Sequence, residues 1–315
     1  CYGGSGDEYS LQMIMTAQNN IVFAAFTTSN DGDVINNHGD FDGWVVKLKP
    51  SGAIKFSVTI GDAGYDDLTG IAEINGNLLV SGITSIKSSS DADLVAYFDA
   101  HVALLDPSLN TIYYRKYADP GSNNCNAMVA TADGNAVLTG HTGADMSIWK
   151  IDVAHNGNII WQNFVGIPND TAASFNVLAT HDGGYVILGA VGPYVLDSVV
   201  DAYAAKVDAS GNLLWTILFG GDDFDVFQSG VEENDGSILI SGATNSNNGD
   251  VSGNHGGRDC WLVNLDACGN RIGGEENNFV SLRSYPNPFS NSTTISFSLS
   301  HSQKVSLKVF DVSGR

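Results

Sequence analysis

Short apolar segments alternate along this chain with turns rich in glycine, aspartate and asparagine. Within the segments, apolar residues recur at every second position, which is typical of β-strands rather than helices. The clearest stretch contains a turn at 181–184, in which glycine supplies a positive φ without steric cost. This stretch predicts four antiparallel strands, at residues 175–180, 185–190, 202–208 and 213–219.

The same four-stranded unit recurs along the chain. Its third strand is the easiest to follow, because the segment 259–266 restates the segment 42–49. The aspartates that open this strand are Asp42, Asp99, Asp145, Asp201 and Asp259. A strand-rich unit that returns about every 50 residues is typical of propellers. The fold class predicted is therefore all-β, a β-propeller of at least five four-stranded blades.

The repeats also predict how the chain is divided. We expect a β-propeller over residues 1–270, a polar linker over 271–281 and a second domain over 282–315. The segment 1–4 matches the segment 218–221 in mid-repeat, so we expect the chain to begin within a repeat, and the blade number stays open. A strand that closes the ring would then precede Cys1. The repeats run over about 3–60, 61–117, 118–165, 166–219 and 220–270.

Alternate positions of the third strand share one face, which we expect to pack against the next blade. Two places past each leading aspartate stand Trp44, His101, Ser147, Tyr203 and Trp261. The fourth strands carry Phe56, Trp161 and Trp215 in matching places. Inter-blade packing is the simplest interpretation of these aromatic residues, and sugar stacking is the alternative.

The charge is strongly acidic and unevenly placed. The net charge is −21; residues 1–270 carry 9 Lys/Arg and 32 Asp/Glu, whereas residues 271–315 carry 5 and 3. An acidic body repels phosphate backbones and anionic lipid surfaces, so nucleic acid is not an expected partner. No apolar run reaches the roughly 18 residues of a transmembrane helix, so we expect no transmembrane segment.

A loop shared by the first and fifth repeats holds the only recurring cluster of polar side chains that suggests a ligand. Residues 32–42 and 249–259 are identical at seven of eleven positions. Carboxylate and amide oxygens suit calcium, yet the same residue types also cap tight turns, so calcium is a candidate and no cofactor is assured. The candidate ligand or metal residues are Asp33, Asn37, His38, Asp42, Asp250, Asn254, His255 and Asp259. No catalytic motif is found, so no catalytic residue is assigned.

Two resemblances follow from these motifs. The Gly-Gly start, the Asp-Gly-Gly-Tyr turn, the Gly-Asp-Val-x-x-Asn-His-Gly loop and the Asp-x-Trp-x-Val-x-Leu strand resemble β-propeller repeats of secreted Bacteroidetes proteins. The tail resembles the start of the C-terminal sorting domain of type IX secretion substrates. That family folds as an immunoglobulin-like β-sandwich, of which this copy would contain only the first strands. The sorting motif is Tyr285, Pro286, Asn287, Pro288 and Phe289, with Phe-Asp-Val-Ser-Gly-Arg at 310–315.

The resemblance implies a protein that is secreted or held at the outer-membrane surface, with the secretion machinery as a partner of the tail. We expect a binding or adhesion module for polysaccharide or a surface protein, with loops 29–42, 85–99 and 245–259 at one end of the ring. The alternatives are an extracellular enzyme acting on polysaccharide and a structural spacer without a ligand. An enzyme predicts two converging carboxylates whose pKa values are pushed apart.

Overall fold

The structure is a computed structural model that describes residues 1–85, 98–118, 123–142, 145–167, 171–192, 199–272, 281–285, 292 and 294–298. In these ranges the regular elements are β-strands, apart from one 3₁₀ turn at Val153–His155. Five successive antiparallel sheets follow one another along the chain, four with four strands and one with three. This arrangement is consistent with the blades that the repeats predict.

Each sheet is a meander, in which every strand pairs with the strand that precedes it in the chain. Sheet 1 contains β1 (Glu8–Met15), β2 (Ile21–Thr27), β3 (Asp42–Leu48) and β4 (Ile54–Ile60). Sheet 2 contains β5 (Asp66–Ile74), β6 (Asn77–Ser85), β7 (Phe98–Leu105) and β8 (Thr111–Tyr117). Sheet 3 contains β9 (Asn123–Ala130), β10 (Ala136–Thr142), β11 (Asp145–Asp152) and β12 (Asn158–Phe164).

Sheet 4 contains β13 (Thr171–Ala179), β14 (Tyr185–Gly192), β15 (Asp201–Val207) and β16 (Leu213–Phe219). Sheet 5 contains β17 (Asp225–Glu232), β18 (Ile238–Thr244) and β19 (Asp259–Leu265). The four strands predicted for the fourth repeat are confirmed, although β13 begins four residues earlier than the pattern indicates. The predicted turn is present as well: Gly183 has φ +82°, and its amide donates to the Thr180 carbonyl over 2.8 Å.

The first strand of every sheet carries a β-bulge at the same place. One residue of each first strand has no partner on the second strand, and the bulged residues are Leu11, Thr69, Asn126, Phe175 and Gln228. A glycine faces the bulge in four sheets, because the backbones approach too closely for a side chain. At Gly140, for example, a Cβ atom would lie 1.6 Å from the Asn124 carbonyl oxygen.

Polar groups at and beside the bulges bond one sheet to the next. The Thr69 hydroxyl donates to the Cys125 carbonyl of sheet 3 over 2.7 Å, and the Asn126 amide donates to the Ser174 carbonyl of sheet 4 over 2.9 Å. Between sheets 1 and 2, the Ile71 amide donates to the Gln12 side chain over 2.7 Å. The first strand is therefore the element that joins each sheet to its neighbours.

Apolar cores fill the spaces between successive sheets, and the fourth-strand aromatic residues Phe56, Trp161 and Trp215 lie in them as expected. The orientation predicted for the third strand was wrong, however. Trp261 lies in the core shared with sheet 4, so its face contacts the preceding sheet rather than the next. Residues three places past the leading aspartate face the next sheet instead, as Val45 does. Both faces are apolar, so alternation alone could not distinguish them.

The described part of the chain shows no closure between sheets 1 and 5. After β19, Arg271 forms an isolated antiparallel bridge with Leu265 and the Ile272 amide donates to the Asn264 carbonyl, and residues 273–280 lie outside the description. In the tail, Ser281–Tyr285 pairs with Thr294–Ser298 as β20 and β21. Of the sorting motif only the backbone of Tyr285 is described; Pro286, Asn287, Pro288 and Phe289 lie outside the described residues. The domain limits stay predictions, and the immunoglobulin-like part is not shown. Among the described residues, no helix is long and apolar enough to cross a membrane.

The bond from Thr69 to sheet 3 gives a test of how the sheets are joined. Thr69→Val keeps the shape of the side chain but removes the hydroxyl donor to the Cys125 carbonyl. We expect the free energy of unfolding to fall by about 1 to 3 kcal/mol, measured by urea denaturation. Thr111→Val, on the exposed face of β8, is the matched control. An equal loss in both variants would contradict a role for this bond.

Candidate binding site

The repeated loops lie between the second and third strands of sheets 1 and 5, and the two copies make the same hydrogen bonds. In loop 1 (residues 28–41), the Asp33 amide donates to the Gly3 carbonyl over 2.9 Å, and the Asp33 carboxylate accepts from the Gly3 amide over 3.1 Å. In loop 5 (residues 245–258), Asp250 makes the same pair of bonds to Gly220, over 2.9 and 3.3 Å. Each aspartate therefore fixes its loop to the turn that opens its own sheet.

The asparagine of each loop holds the loop's own backbone. The Asn37 side chain donates to the Ser29 carbonyl over 3.1 Å and accepts from the Gly39 amide over 2.9 Å. The Asn254 side chain likewise donates to the Thr244 carbonyl and accepts from the Gly256 amide. These are the bonds that asparagine makes in tight turns.

The histidine and aspartate of each loop form a pair. Nδ1 of His38 lies 2.6 Å from Oδ2 of the buried Asp42, and the His38 amide donates to the same oxygen over 2.8 Å. In loop 5, Nδ1 of His255 lies 3.1 Å from Oδ2 of Asp259. Hydrogen bonds at the turns engage all eight candidates, although Oδ1 of the buried Asp42 has no hydrogen-bond partner. Among the described residues, no group of three His, Cys, Asp or Glu could hold a metal ion. Calcium at the loops stays a prediction.

A row of aromatic side chains, which we call the aromatic ledge, crosses the boundary between sheets 1 and 2. Each ring lies in contact with the next, at centroid distances of 5.0, 5.8, 5.1 and 6.2 Å. All of these rings are exposed or half-buried, so the ledge is accessible to a ligand. In order, its members are Tyr9, Phe26, Phe41, Tyr65 and Phe98.

Strand pairing fixes the centre of the ledge. Phe41 and Tyr65 form a parallel bridge between loop 1 and the turn that opens sheet 2. The Asp66 amide donates to the Phe41 carbonyl over 2.8 Å, so the two aromatic residues leave their strands at adjacent points. The ledge is thus set by backbone hydrogen bonds rather than by side-chain packing alone.

Carboxylates beside the ledge differ in their tendency to ionise. Burial raises the pKa of Asp67 to about 6, and the Tyr65 hydroxyl donates to its Oδ2 over 3.4 Å. Burial also raises the pKa of Asp66. In contrast, the hydrogen bond from Lys116, 2.7 Å long, lowers the pKa of the more exposed Asp62. Burial therefore favours the protonated form of Asp67, whereas the bond from Lys116 favours the ionised form of Asp62.

His101 packs within sheet 2 as a neutral ring. It takes the place that Trp44 and Trp261 have in their strands, and it stacks on Tyr114 at a centroid distance of 5.1 Å. Burial lowers the pKa of His101 to about 3, so its two ring nitrogens carry no charge at neutral pH. Neither nitrogen has a hydrogen-bond partner, which fits packing rather than acid–base chemistry.

Sequence reasoning missed the ledge, although a signal for it was present. An aromatic residue stands directly before the aspartate that opens a strand in four places: Phe41, Tyr65, Phe98 and Phe224. Strands that begin at the same end of their sheets bring these residues to one end of the molecule. The aromatic–aspartate dipeptide therefore indicates a shared aromatic surface.

The comparisons with known proteins show the fold alone. No protein-family model matches the chain, and neither does any curated protein. A protein of unknown function from Dyadobacter fermentans aligns with a TM-score of 0.52 at 12% identity, covering 84% of this chain and 81% of that one. A puromycin hydrolase mutant aligns with a TM-score of 0.51 at 9% identity, covering 91% and 42%. A protein of unknown function from Bacteroides caccae has a TM-score of 0.48 at 11% identity, covering 84% and 80%.

The raised pKa of Asp67 has a consequence for stability. Since the folded protein holds this proton up to about pH 6 and the unfolded chain releases it near pH 4, stability should fall as pH rises between these values. Between pH 4 and pH 7, the free energy of unfolding should decrease by about 2 to 3 kcal/mol less in Asp67→Asn than in the wild type, as measured by urea denaturation. Asp7→Asn, at an exposed carboxylate, is the control. Parallel pH profiles for the wild type and Asp67→Asn would contradict the shift.

Proposed function

We propose that this protein is a secreted or surface-displayed binding module that holds a polysaccharide across the aromatic ledge. The observation that carries the proposal is the ledge itself, five contacting rings that remain partly exposed beside carboxylates. Contiguous apolar patches that remain exposed at a protein surface mark interaction sites or ligand-binding grooves. Pyranose rings have an apolar face that stacks on aromatic rings, and their hydroxyl groups donate to carboxylates.

The spacing of the rings supports an extended ligand rather than a single sugar. Neighbouring centroids are separated by 5.0 to 6.2 Å, so the five rings form a continuous row of contacts across two sheets. The half-exposed His38 and the exposed carboxylate of Asp62 stand near the ledge as polar partners, while the buried carboxylate of Asp67 accepts from the Tyr65 hydroxyl. A few polar groups beside an aromatic surface are the usual composition of a specific small-molecule or glycan site.

Polysaccharide hydrolysis is the second candidate, and one observation favours it. Asp67 has a raised pKa and Asp62 a lowered one, which is the separation that an acid and a base require. Binding alone does not need a carboxyl group that titrates near pH 6. Measuring new reducing ends in the binding experiment below distinguishes hydrolysis from binding, because only hydrolysis generates them. If Asp67 acts in hydrolysis, Asp67→Asn should produce no new reducing ends.

Export by the type IX system is the second part of the proposal. It is supported by the motif from Tyr285 to Phe289 and by the strand pair that follows β19 in the tail. In this proposal the tail directs export, and the five sheets bind the ligand.

Binding is tested by affinity electrophoresis against a panel of neutral plant, fungal and bacterial polysaccharides. For a polysaccharide that retards the wild type, Phe41→Ala should weaken binding about tenfold, equivalent to ~1.4 kcal/mol, because it interrupts the ledge. Phe164→Ala removes a more exposed ring from β12, outside the ledge, and should leave binding unchanged. Retention of no polysaccharide, or equal losses in the two variants, would favour the spacer without a ligand.

Export is tested in a bacterium that has a type IX system. The chain, supplied with that host's signal peptide and extended after Arg315 by the remaining strands of a type IX sorting domain, should reach the cell surface or the medium, whereas the chain ending at residue 281 should remain in the periplasm. The propeller part must stay folded in both, as judged by protease resistance. Equal export of the two proteins would remove the sorting role from the tail.

A further inference from the structure

Acidic residues flank the aromatic ledge on both of the sheets that it crosses. Within two positions of the five ledge residues, the sequence has seven acidic residues and no Lys or Arg. These acidic residues are Asp7, Glu8, Asp40, Asp42, Asp66, Asp67 and Asp99. The border of the ledge is therefore negative, and it attracts positive charge to the rings.

Three carboxylates at this border are open to solvent. Asp7 lies directly before β1, Asp40 lies directly before Phe41, and both residues are exposed. The side chain of Asp62 is 54% exposed, in the turn that leads to Tyr65. A ligand that lies on the rings can therefore contact carboxylates from both sheets.

One cation lies at this border in the described part of the chain, and other groups already engage it. Nζ of Lys116 donates to the Asp62 carboxylate over 2.7 Å and to the Thr84 hydroxyl over 3.3 Å. The border therefore keeps a surplus of negative charge. A ligand that carries its own positive charge would offset this surplus.

We propose that the ligand of the ledge is an amino-sugar polysaccharide, a chain in which some of the sugar units carry a free ammonium group. This inference rests on the proposed function, because it concerns the same rings. A neutral chain can stack on those rings and donate its hydroxyl groups to the carboxylates. A chain with ammonium groups also gains charge-assisted hydrogen bonds to the carboxylates and attraction to the aromatic faces.

A lysine-rich peptide is the other macromolecule that would supply ammonium groups, and the ledge favours the sugar. Its five rings form a continuous row of contacts, which gives a sugar ring an apolar surface beside its own amino group. A lysine side chain carries its charge at the end of a flexible four-carbon stem, so it does not require a row of rings.

The test compares a chitosan oligomer with a chitin oligomer of the same length, because the two differ only in ammonium against neutral acetamido groups. At about pH 5.5 the amino groups are protonated and most Asp and Glu side chains are ionised. Under these conditions the wild type should bind the chitosan oligomer at least about tenfold more tightly, measured by isothermal titration calorimetry.

Salt and pH should both change this preference. Raising sodium chloride from about 50 to about 500 mM should reduce it, because salt screens charges that are open to solvent. At about pH 8.5 the amino groups have lost their protons, so the preference should disappear.

Substitutions separate the ledge from the general charge of the molecule. Asp40→Asn should reduce the preference for the chitosan oligomer about threefold, as expected for an exposed ion pair, and Asp7→Asn is the second variant. Phe41→Ala should weaken the binding of both oligomers. Asp235→Asn removes an exposed carboxylate from the turn between β17 and β18 and should change neither affinity. Circular dichroism checks that each variant is folded.

The outcomes distinguish this inference from the proposed function. Equal affinity for the two oligomers, or equal effects of Asp40→Asn and Asp235→Asn, would overturn the inference. An oligolysine of the same charge that binds as tightly as the chitosan oligomer would also overturn it. In each of these cases, a neutral polysaccharide whose binding needs Phe41 would still support the proposed function. If the wild type binds neither oligomer and no neutral polysaccharide, both fail.

Discussion

The bulged first strand of each sheet is the constraint on which the rest of the structure depends. In sheets 2 to 5 it contacts the first three strands of the preceding sheet, and in sheets 2 and 3 the bulge turns a polar group, on Thr69 and Asn126, toward the next sheet. The glycine opposite the bulge permits the close backbone approach that this geometry needs, and Gly140 has no room for a side chain. Because the bulge recurs in all five sheets and the facing glycine in four, the loops emerge in a repeated arrangement.

The fold could be predicted from sequence because its strand pattern is local and repeated five times. The direction in which the third strand faces could not, since a sheet buried on both faces has apolar residues at odd and even positions alike. The candidate site was harder for a different reason. Asp33, Asn37 and His38 have the right chemistry for a ligand, but their bonds to Gly3, Ser29 and Asp42 already satisfy them within the turn. Tyr65 and Phe41 meet only when two sheets lie side by side.

A repeat in which every unit covers the next necessarily leaves two unlike surfaces at its ends. Proteins of this kind resolve the problem by closing, by polar end units or by association. Sheet 5 shows none of the polar substitutions of a capping unit at Leu262 or Val231. The third strand of sheet 5 keeps the apolar pattern of an internal blade, as Trp261, Val263 and Leu265 show.

The charge of the molecule restricts the ligand that the ledge can hold. Residues 1–270 contain 32 Asp/Glu against 9 Lys/Arg, and Lys116, the cation bonded to Asp62, is occupied by that bond. A sulfated or uronic-acid polysaccharide would meet repulsion from the whole surface, with no free cation in the described part of the ledge to offset it. A neutral polysaccharide meets no such repulsion, and its hydroxyl groups supply the donors that acidic side chains need. The same carboxylates that exclude anionic ligands therefore orient a neutral one on the aromatic rings.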